Sequence, residues 1–152
     1  MADNWDFKAQ LEVGDRGEQL FLEHYPRKLT IYPERAYDFT CSSGAKIELK
    51  TDTYNMEKTE NFFMERYSDV HRETVGGPWR AAGDDVDIFC YYFVRHNTWF
   101  QFNDIPALVE RLNELTTGKG LVYIKNRGWV TGGYKVKRDE LEDLFDVWEF
   151  EV

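Results

Sequence analysis

Two acidic residues and a lysine near the middle of the chain have the types and spacing of a chemical site: Asp38, Glu48 and Lys50. Side chains alternate between the two faces of a strand, so Glu48 and Lys50 project to the same side. Between the two acids, the stretch 42–44 predicts a three-residue hairpin loop with Gly44 in the left-handed conformation. In that register Asp38 lies directly opposite Glu48.

Two facing carboxylates raise the question of what lies between them. In this register their Cβ atoms are about 4.5–5.5 Å apart, and like charges at that spacing repel each other. A divalent cation with oxygen ligands is the simplest way to remove the repulsion. Lys50 follows two residues later on the same face. The pattern therefore predicts a metal site with the ammonium group of Lys50 beside it.

The elements that must position these residues can be predicted in outline. A helix should begin near Asp15, which can cap the first free amides, and end before Pro26. Strands are predicted at 29–32, 36–41, 45–51, 87–94 and 98–102, with a second long helix at 105–117, whereas 56–75 has no clear assignment. Helical and strand segments mixed in this way indicate an α/β fold with a mixed central sheet flanked by helices.

Length and composition set further expectations. The 152 residues predict a single domain, 1–152, and the hydrophobic share of 42% is enough for a packed core. Because no apolar run has the length of a membrane span and the N-terminus lacks a signal-peptide pattern, we expect a cytoplasmic protein without a membrane partner. Cys41 and Cys90 have no metal-ligand spacing and are expected to be buried thiols.

The sequence resembles the PD-(D/E)xK nuclease superfamily, which includes restriction-endonuclease-like enzymes, Holliday-junction resolvases and phage nucleases. The resemblance covers about residues 15–52 and rests on Asp38, on Glu48-Leu49-Lys50 in the next strand, and on Glu18 in the preceding helix. Tyr37 stands where the family motif has a proline, a position that the family varies. The resemblance implies a restriction-endonuclease-like core and a metal-dependent deoxyribonuclease. Because small nucleases of this superfamily often work as dimers, it also implies a homodimer.

The resemblance also implies a role for each residue. Asp38, Glu48 and the backbone carbonyl of Leu49 would hold Mg²⁺, for which Mn²⁺ should substitute. Lys50 would orient the attacking water or stabilise charge in the transition state. Glu18 would bind a second metal or orient waters around the first.

Each of these residues also has a structural alternative. Asp38, Glu48 and Lys50 could form an ordinary solvated sheet face. Glu18 stands three residues after Asp15, which is the spacing of a capping box. Other acids admit both interpretations: a ligand role or strand termination for Asp52, and a ligand role or a loop for the cluster Asp84, Asp85 and Asp87.

Basic residues are the candidates for nucleic-acid contact. Arg66, Arg72 and Arg80 follow the motif and are interleaved with Tyr67 and Trp79, as in surfaces that contact phosphates and bases. Scattered surface charge is the alternative. A second basic stretch lies in the C-terminal third, at Lys119, Lys125, Arg127, Lys135, Lys137 and Arg138.

The net charge bears on whether this protein binds DNA. A charge of −9 is unusual for a protein that binds DNA, unless the acids are metal ligands or lie on another face. Cleavage of DNA, including branched or junction DNA, is the leading hypothesis. One alternative is an acidic mimic of DNA that inhibits a DNA-binding enzyme. Another is a catalytically inactive nuclease fold that serves as a binding module.

Overall fold

The computed structural model describes residues 7–31 and 38–152, with side chains from residue 15 onward. Within those ranges the chain forms three α-helices: α1 (Phe7–His24), α2 (Gly77–Gly83) and α3 (Ile105–Thr116). None of the described helices is long and apolar enough to cross a bilayer. The ten strands of the described ranges are β1 (Leu29–Ile31), β2 (Phe39–Cys41), β3 (Lys46–Asp52), β4 (Asn61–Asp69), β5 (Thr74–Val75), β6 (Ile88–Phe93), β7 (Thr98–Phe102), β8 (Val122–Lys125), β9 (Val130–Lys137) and β10 (Phe145–Glu149).

The strands form two sheets. A large sheet has the order β1-β2-β3-β6-β7-β10, and a small sheet has the order β5-β4-β9-β8. In the large sheet β3 and β6 are parallel while all other neighbours are antiparallel, and the small sheet is antiparallel throughout. The predicted α/β class with a mixed central sheet is therefore confirmed.

The hairpin of β2 and β3 has the predicted register. Phe39 pairs with Ile47 and Thr40 with Lys46. Gly44 adopts φ +90°, a conformation that favours glycine, so the three-residue loop is closed as expected. Of the preceding predicted strand, residues 36 and 37 lie outside the described ranges.

Two hydrophobic cores lie on opposite faces of the large sheet. On one face, α1 packs against Phe39, Ile47, Tyr92 and Trp99 through Phe21. On the other face, the small sheet and α3 enclose a second core, which includes Phe62, Met64, Phe89, Tyr91, Phe102, Leu108 and Val136. The predicted buried thiols, Cys41 and Cys90, are both buried and free.

The predicted start of α1 is wrong, and its predicted end is right. The helix begins at Phe7, so Asp15 lies inside it rather than at its N-cap, and it ends at His24, before Pro26. Gly17, which breaks helical propensity, is explained by packing: a Cβ there would lie 2.3 Å from Cγ1 of Val94. The helix passes too close to Val94, the residue after β6, for any larger side chain at this position.

Candidate active site

The hairpin holds Asp38 beside Glu48 through the backbone of β3. The Asp38 N–H donates to the Ile47 carbonyl at 2.9 Å, and Oδ2 of Asp38 accepts a hydrogen bond from the Leu49 N–H at 2.7 Å. These two bonds flank Glu48 on either side along the strand. The Asp38 carboxylate is therefore fixed next to the Glu48 side chain, as the predicted register requires.

The proximity of the two acids changes the ionisation of Glu48. Burial, a hydrogen bond to the Asp38 carboxylate and the charge of Asp38 together raise the pKa of Glu48 to about 9. Arg80 opposes this rise in pKa, and Glu65 adds to it. With its pKa raised in this way, Glu48 retains its proton at neutral pH in the absence of a cation and donates a hydrogen bond to the Asp38 carboxylate.

Glu18 approaches the same pair from α1. Its pKa is raised by burial first, then by the negative charges of Asp38 and Asp15. Because Asp15 lies within the helix, the capping-box alternative for Glu18 does not apply. The helix therefore brings a third carboxyl into the electrostatic field of Asp38.

Lys50 shares a cleft with Glu48, as their spacing in β3 predicts. The cleft has a volume of about 120 Å³, with room for a small hydrated ion. Its walls come from β3, β4, β6 and the segment that begins α2. The lining residues are Glu48, Leu49, Lys50, Phe63, Glu65, Gly76, Gly77, Arg80 and Phe89.

Glu65 is a site residue that the sequence pattern did not reveal. It lies in β4, within the stretch that had no assignment, and it lines the cleft opposite the β3 residues. The sequence signal closest to it is the Gly76-Gly77 pair, because adjacent glycines favour a break in regular structure. In the structure those glycines are in contact with Glu65: a Cβ on Gly76 would lie 2.2 Å from its Oε2.

A substitution at Gly77 tests the close packing of the α2 segment against the backbone of Glu65. It adopts φ +53°, and a Cβ there would lie 2.2 Å from the Glu65 carbonyl oxygen. We expect Gly77→Ala to lower the free energy of unfolding by at least about 2 kcal/mol, because steric overlap adds to backbone strain. Gly83→Ala is the matched control, since its Cβ meets nothing within 4 Å, and it should be neutral or slightly stabilising. Urea unfolding of both variants makes the comparison, and equal midpoints would contradict the close approach.

The three arginines predicted to contact nucleic acid lie in different places. Arg80 lines the cleft and is half-exposed, with its Nε 3.7 Å from Oδ2 of Asp84. Arg66 packs instead, with its guanidinium 4.7 Å from the ring centre of Tyr67. Arg72 is 85% exposed in the turn after β4 and does not line the cleft. Of the three, only Arg80 lines the cleft together with Glu48 and Lys50.

Two of the other acids have structural partners. Asp52 accepts a hydrogen bond from the hydroxyl of Tyr91, which in turn accepts one from the Phe63 N–H at 2.9 Å. Asp87 joins β3 to β6, because its Oδ2 accepts from the Lys46 N–H at 2.8 Å. These contacts favour strand termination for Asp52 and strand entry for Asp87.

The oxygen donors around Asp38 and Glu48 fit a hard cation. Within the described ranges, no group of three or more His, Cys, Asp or Glu side chains is arranged to hold a metal. Mg²⁺, however, is commonly bound by one or two carboxylates, with waters and substrate phosphate completing its shell. The Leu49 N–H lies 2.7 Å from Oδ2 of Asp38, so the backbone of Leu49 passes beside the pair of acids. A cation between the two acids would replace the proton that they share.

Comparison with known proteins adds no relative. No family model matches the sequence, and no curated protein matches it closely enough to be counted as related. The functional argument therefore rests on the geometry of the cleft.

Proposed function

We propose that this protein is a Mg²⁺-dependent nuclease that hydrolyses phosphodiester bonds in DNA, built on a restriction-endonuclease-like core. The observation that supports the proposal most directly is the pairing of Asp38 with Glu48 across a hairpin. Lys50 lies in the same cleft as Glu48. A solvated sheet face provides no reason to place two partly buried acids against each other, since doing so costs free energy in the metal-free protein.

The three residues would divide the work by charge. Asp38 and Glu48, with the Leu49 carbonyl, would bind the cation, which when bound lowers the pKa of a water and polarises the scissile phosphate. Lys50 would orient that water or stabilise the negative charge that develops on the phosphate. Glu18, whose carboxyl lies in the field of Asp38, would orient waters around the cation.

The cleft also reconciles phosphate binding with an acidic protein. Lys50 and Arg80 place two cationic side chains at its walls, although the chain as a whole has a net charge of −9. A bound divalent cation would cancel the charge of two of the carboxylates. The cation, Lys50 and Arg80 would then carry as much positive charge as the carboxyls of Asp38, Glu48, Glu65 and Glu18 carry negative charge, so a phosphate would meet no net negative charge at the site.

The proposal predicts metal-dependent cleavage of DNA. Labelled linear, nicked, single-stranded and four-way-junction DNA should be incubated with Mg²⁺, Mn²⁺ or EDTA, and products separated on denaturing gels. We expect cleavage of at least one substrate with either metal and none in EDTA. Asp38→Asn should abolish it, whereas Asp139→Asn, an exposed acid outside the cleft, should not.

The same panel identifies the substrate class and can reject the proposal. Strong preference for the junction would indicate a structure-specific enzyme. If the pure protein cuts none of the four substrates and instead inhibits a DNA-binding enzyme, the acidic-mimic function replaces the nuclease.

A further inference from the structure

Basic charge is concentrated in one segment of this acidic chain, residues 118–138. The segment contains β8, β9 and the turn between them, here called the basic hairpin. It holds six of the 19 Lys and Arg residues and none of the 28 Asp and Glu residues. A surface of this kind attracts a polyanion even when the net charge of the protein is negative.

Two of the six basic side chains contact other parts of the protein. The guanidinium of Arg138 lies 5.4 Å from the ring centre of Phe93 and donates to backbone carbonyls. Lys137 pairs with Glu60 at 3.7 Å. The other four are exposed: Lys119, Lys125, Arg127 and Lys135. Among the described residues, no acid forms an ion pair with any of these three lysines.

Two aromatic side chains stand exposed beside these cations. Tyr123 is 60% exposed and Trp129 is 40% exposed. Tyr123 and Lys125 are two residues apart in β8, so they share one face of the strand. Lysine on an edge strand can serve merely to prevent sheet association, but exposed rings would promote association and need another explanation. Rings next to cations are the pattern that binds unpaired bases and their phosphates.

The hairpin is held in place by hydrogen bonds rather than left to move freely. In the turn, the Asn126 N–H donates to the Trp129 carbonyl at 2.9 Å, and Nδ2 of Asn126 donates to Oγ1 of Thr131 at 2.9 Å. Thr131 in turn donates to the Ser68 carbonyl at 3.1 Å. These contacts tie the turn to β4, so a ligand that binds here loses little affinity to ordering of the loop.

One face of the basic hairpin leads to the candidate active site. In the small sheet, Lys135 lies opposite Phe63 and Gly133 lies opposite Glu65. Phe63 and Glu65 both line the cleft, so their face of the sheet leads from the cleft to Lys135. Tyr123 and Lys125 lie on the other face of the small sheet. A nucleic-acid strand would reach them from the cleft by passing around β8, the edge strand of that sheet.

We infer that the basic hairpin binds the unpaired DNA strand that extends from the candidate active site. Bases would stack on Tyr123 and Trp129, and phosphates would contact Lys125 and Arg127. The inference rests on the proposed function for the identity of the ligand as DNA. A single strand is favoured over a duplex, because base pairing hides the faces on which aromatic rings stack.

Binding can be measured without cleavage, by fluorescence anisotropy of labelled oligo(dT) in EDTA. We expect Tyr123→Ala and Trp129→Ala each to weaken binding about tenfold or more, the usual loss for one stacked base. Tyr123→Phe keeps the ring and should bind as the wild type does. Lys125→Glu should weaken binding and reduce its salt dependence, whereas Lys28→Glu, an exposed lysine outside the basic hairpin with the same change in charge, should not.

A second probe keeps the test sharp even if an alanine variant folds poorly. An oligonucleotide of the same length with abasic sites should bind the wild-type protein as weakly as oligo(dT) binds Tyr123→Ala. Equal binding of the abasic and normal strands, wild-type affinity in both alanine variants, or preference for duplex would each overturn the inference. Hairpin-dependent binding without any metal-dependent cleavage would instead overturn the nuclease proposal and leave this surface in place.

Discussion

Lys50→Ala should lower turnover by about 10²–10³-fold while leaving metal binding intact, because one electrostatic stabiliser of the transition state is lost. A protonated lysine cannot ligate a cation, so its removal deprives the site of no ligand. Loss of a positive charge next to the two acids should, if anything, tighten Mn²⁺ binding. DNA binding should stay within a few-fold of the wild type, since the basic hairpin and Arg80 are unchanged.

Glu48→Ala should behave in the opposite way and lose both metal binding and cleavage. Together the two variants distinguish a metal ligand from a stabiliser of the transition state, which the position of both residues on β3 does not do. Calorimetry with Mn²⁺ measures binding, and single-turnover cleavage measures the chemical step on the same preparations. Lys58→Ala, at an exposed lysine outside the cleft, controls for loss of positive charge. Near-normal cleavage by Lys50→Ala would leave Glu48-Leu49-Lys50 as an ordinary strand that happens to fit the motif.

The central part of the site could be predicted because its geometry is local. Once Gly44 sets the loop, the register of β2 and β3 follows, and the pairing of Phe39 with Ile47 confirms it. Strand alternation then determines which side chains share a face. That step predicts Glu48 and Lys50 on one face of β3, and both residues line the cleft.

The start of α1 could not be predicted in the same way. Asp15 is a good N-cap in isolation, and Gly17 is a poor helix former, so local propensity placed the helix start at the wrong residue. The reason for Gly17 is its close approach to Val94, which is distant in sequence. The resulting correction strengthens the case for Glu18, since it removes the capping role that competed with a functional one.

Strand β4 could not be predicted, because its residues on the cleft side do not follow the usual alternation of polar and apolar side chains. Phe62 and Met64 face the core, while Phe63 and Glu65 line the cleft, so each face of the strand carries a phenylalanine. The alternation of polar and apolar residues that identifies a half-buried strand is therefore missing. Glu65 reaches the cleft only through the packing of the small sheet against the large one, which no local pattern encodes.

In the absence of metal, the Glu48 carboxyl should make the protein less stable as pH rises from about 5 to 8. The pKa of Glu48 is raised to about 9 in the folded protein, compared with about 4.3 in an unfolded chain. Between those values the folded state retains a proton that the unfolded state has released. Stability associated with this proton is complete below pH 4.3 and is lost as pH rises towards 9.

Glu48→Gln removes this titration and retains a polar side chain of similar size. Relative to the wild type, the variant should therefore gain stability with pH, by on the order of 2–4 kcal/mol by pH 8, with solvent access keeping the gain below the limiting value. Urea unfolding in EDTA at pH 5, 6, 7 and 8 gives the difference directly. Glu110→Gln, on the exposed face of α3, should follow the wild type at every pH.

The reason for the raised pKa can be tested with Asp38→Asn, because the neighbouring charge is then removed while an oxygen remains to accept the Leu49 N–H. The pKa of Glu48 should fall, so the pH dependence of stability should become shallower than in the wild type, although burial alone should keep part of it. A wild-type protein whose stability relative to Glu48→Gln does not change with pH would mean that Glu48 is ionised beside Asp38. The two acids would then share no proton in the metal-free protein, and the repulsion that Mg²⁺ is proposed to remove would be offset by other groups.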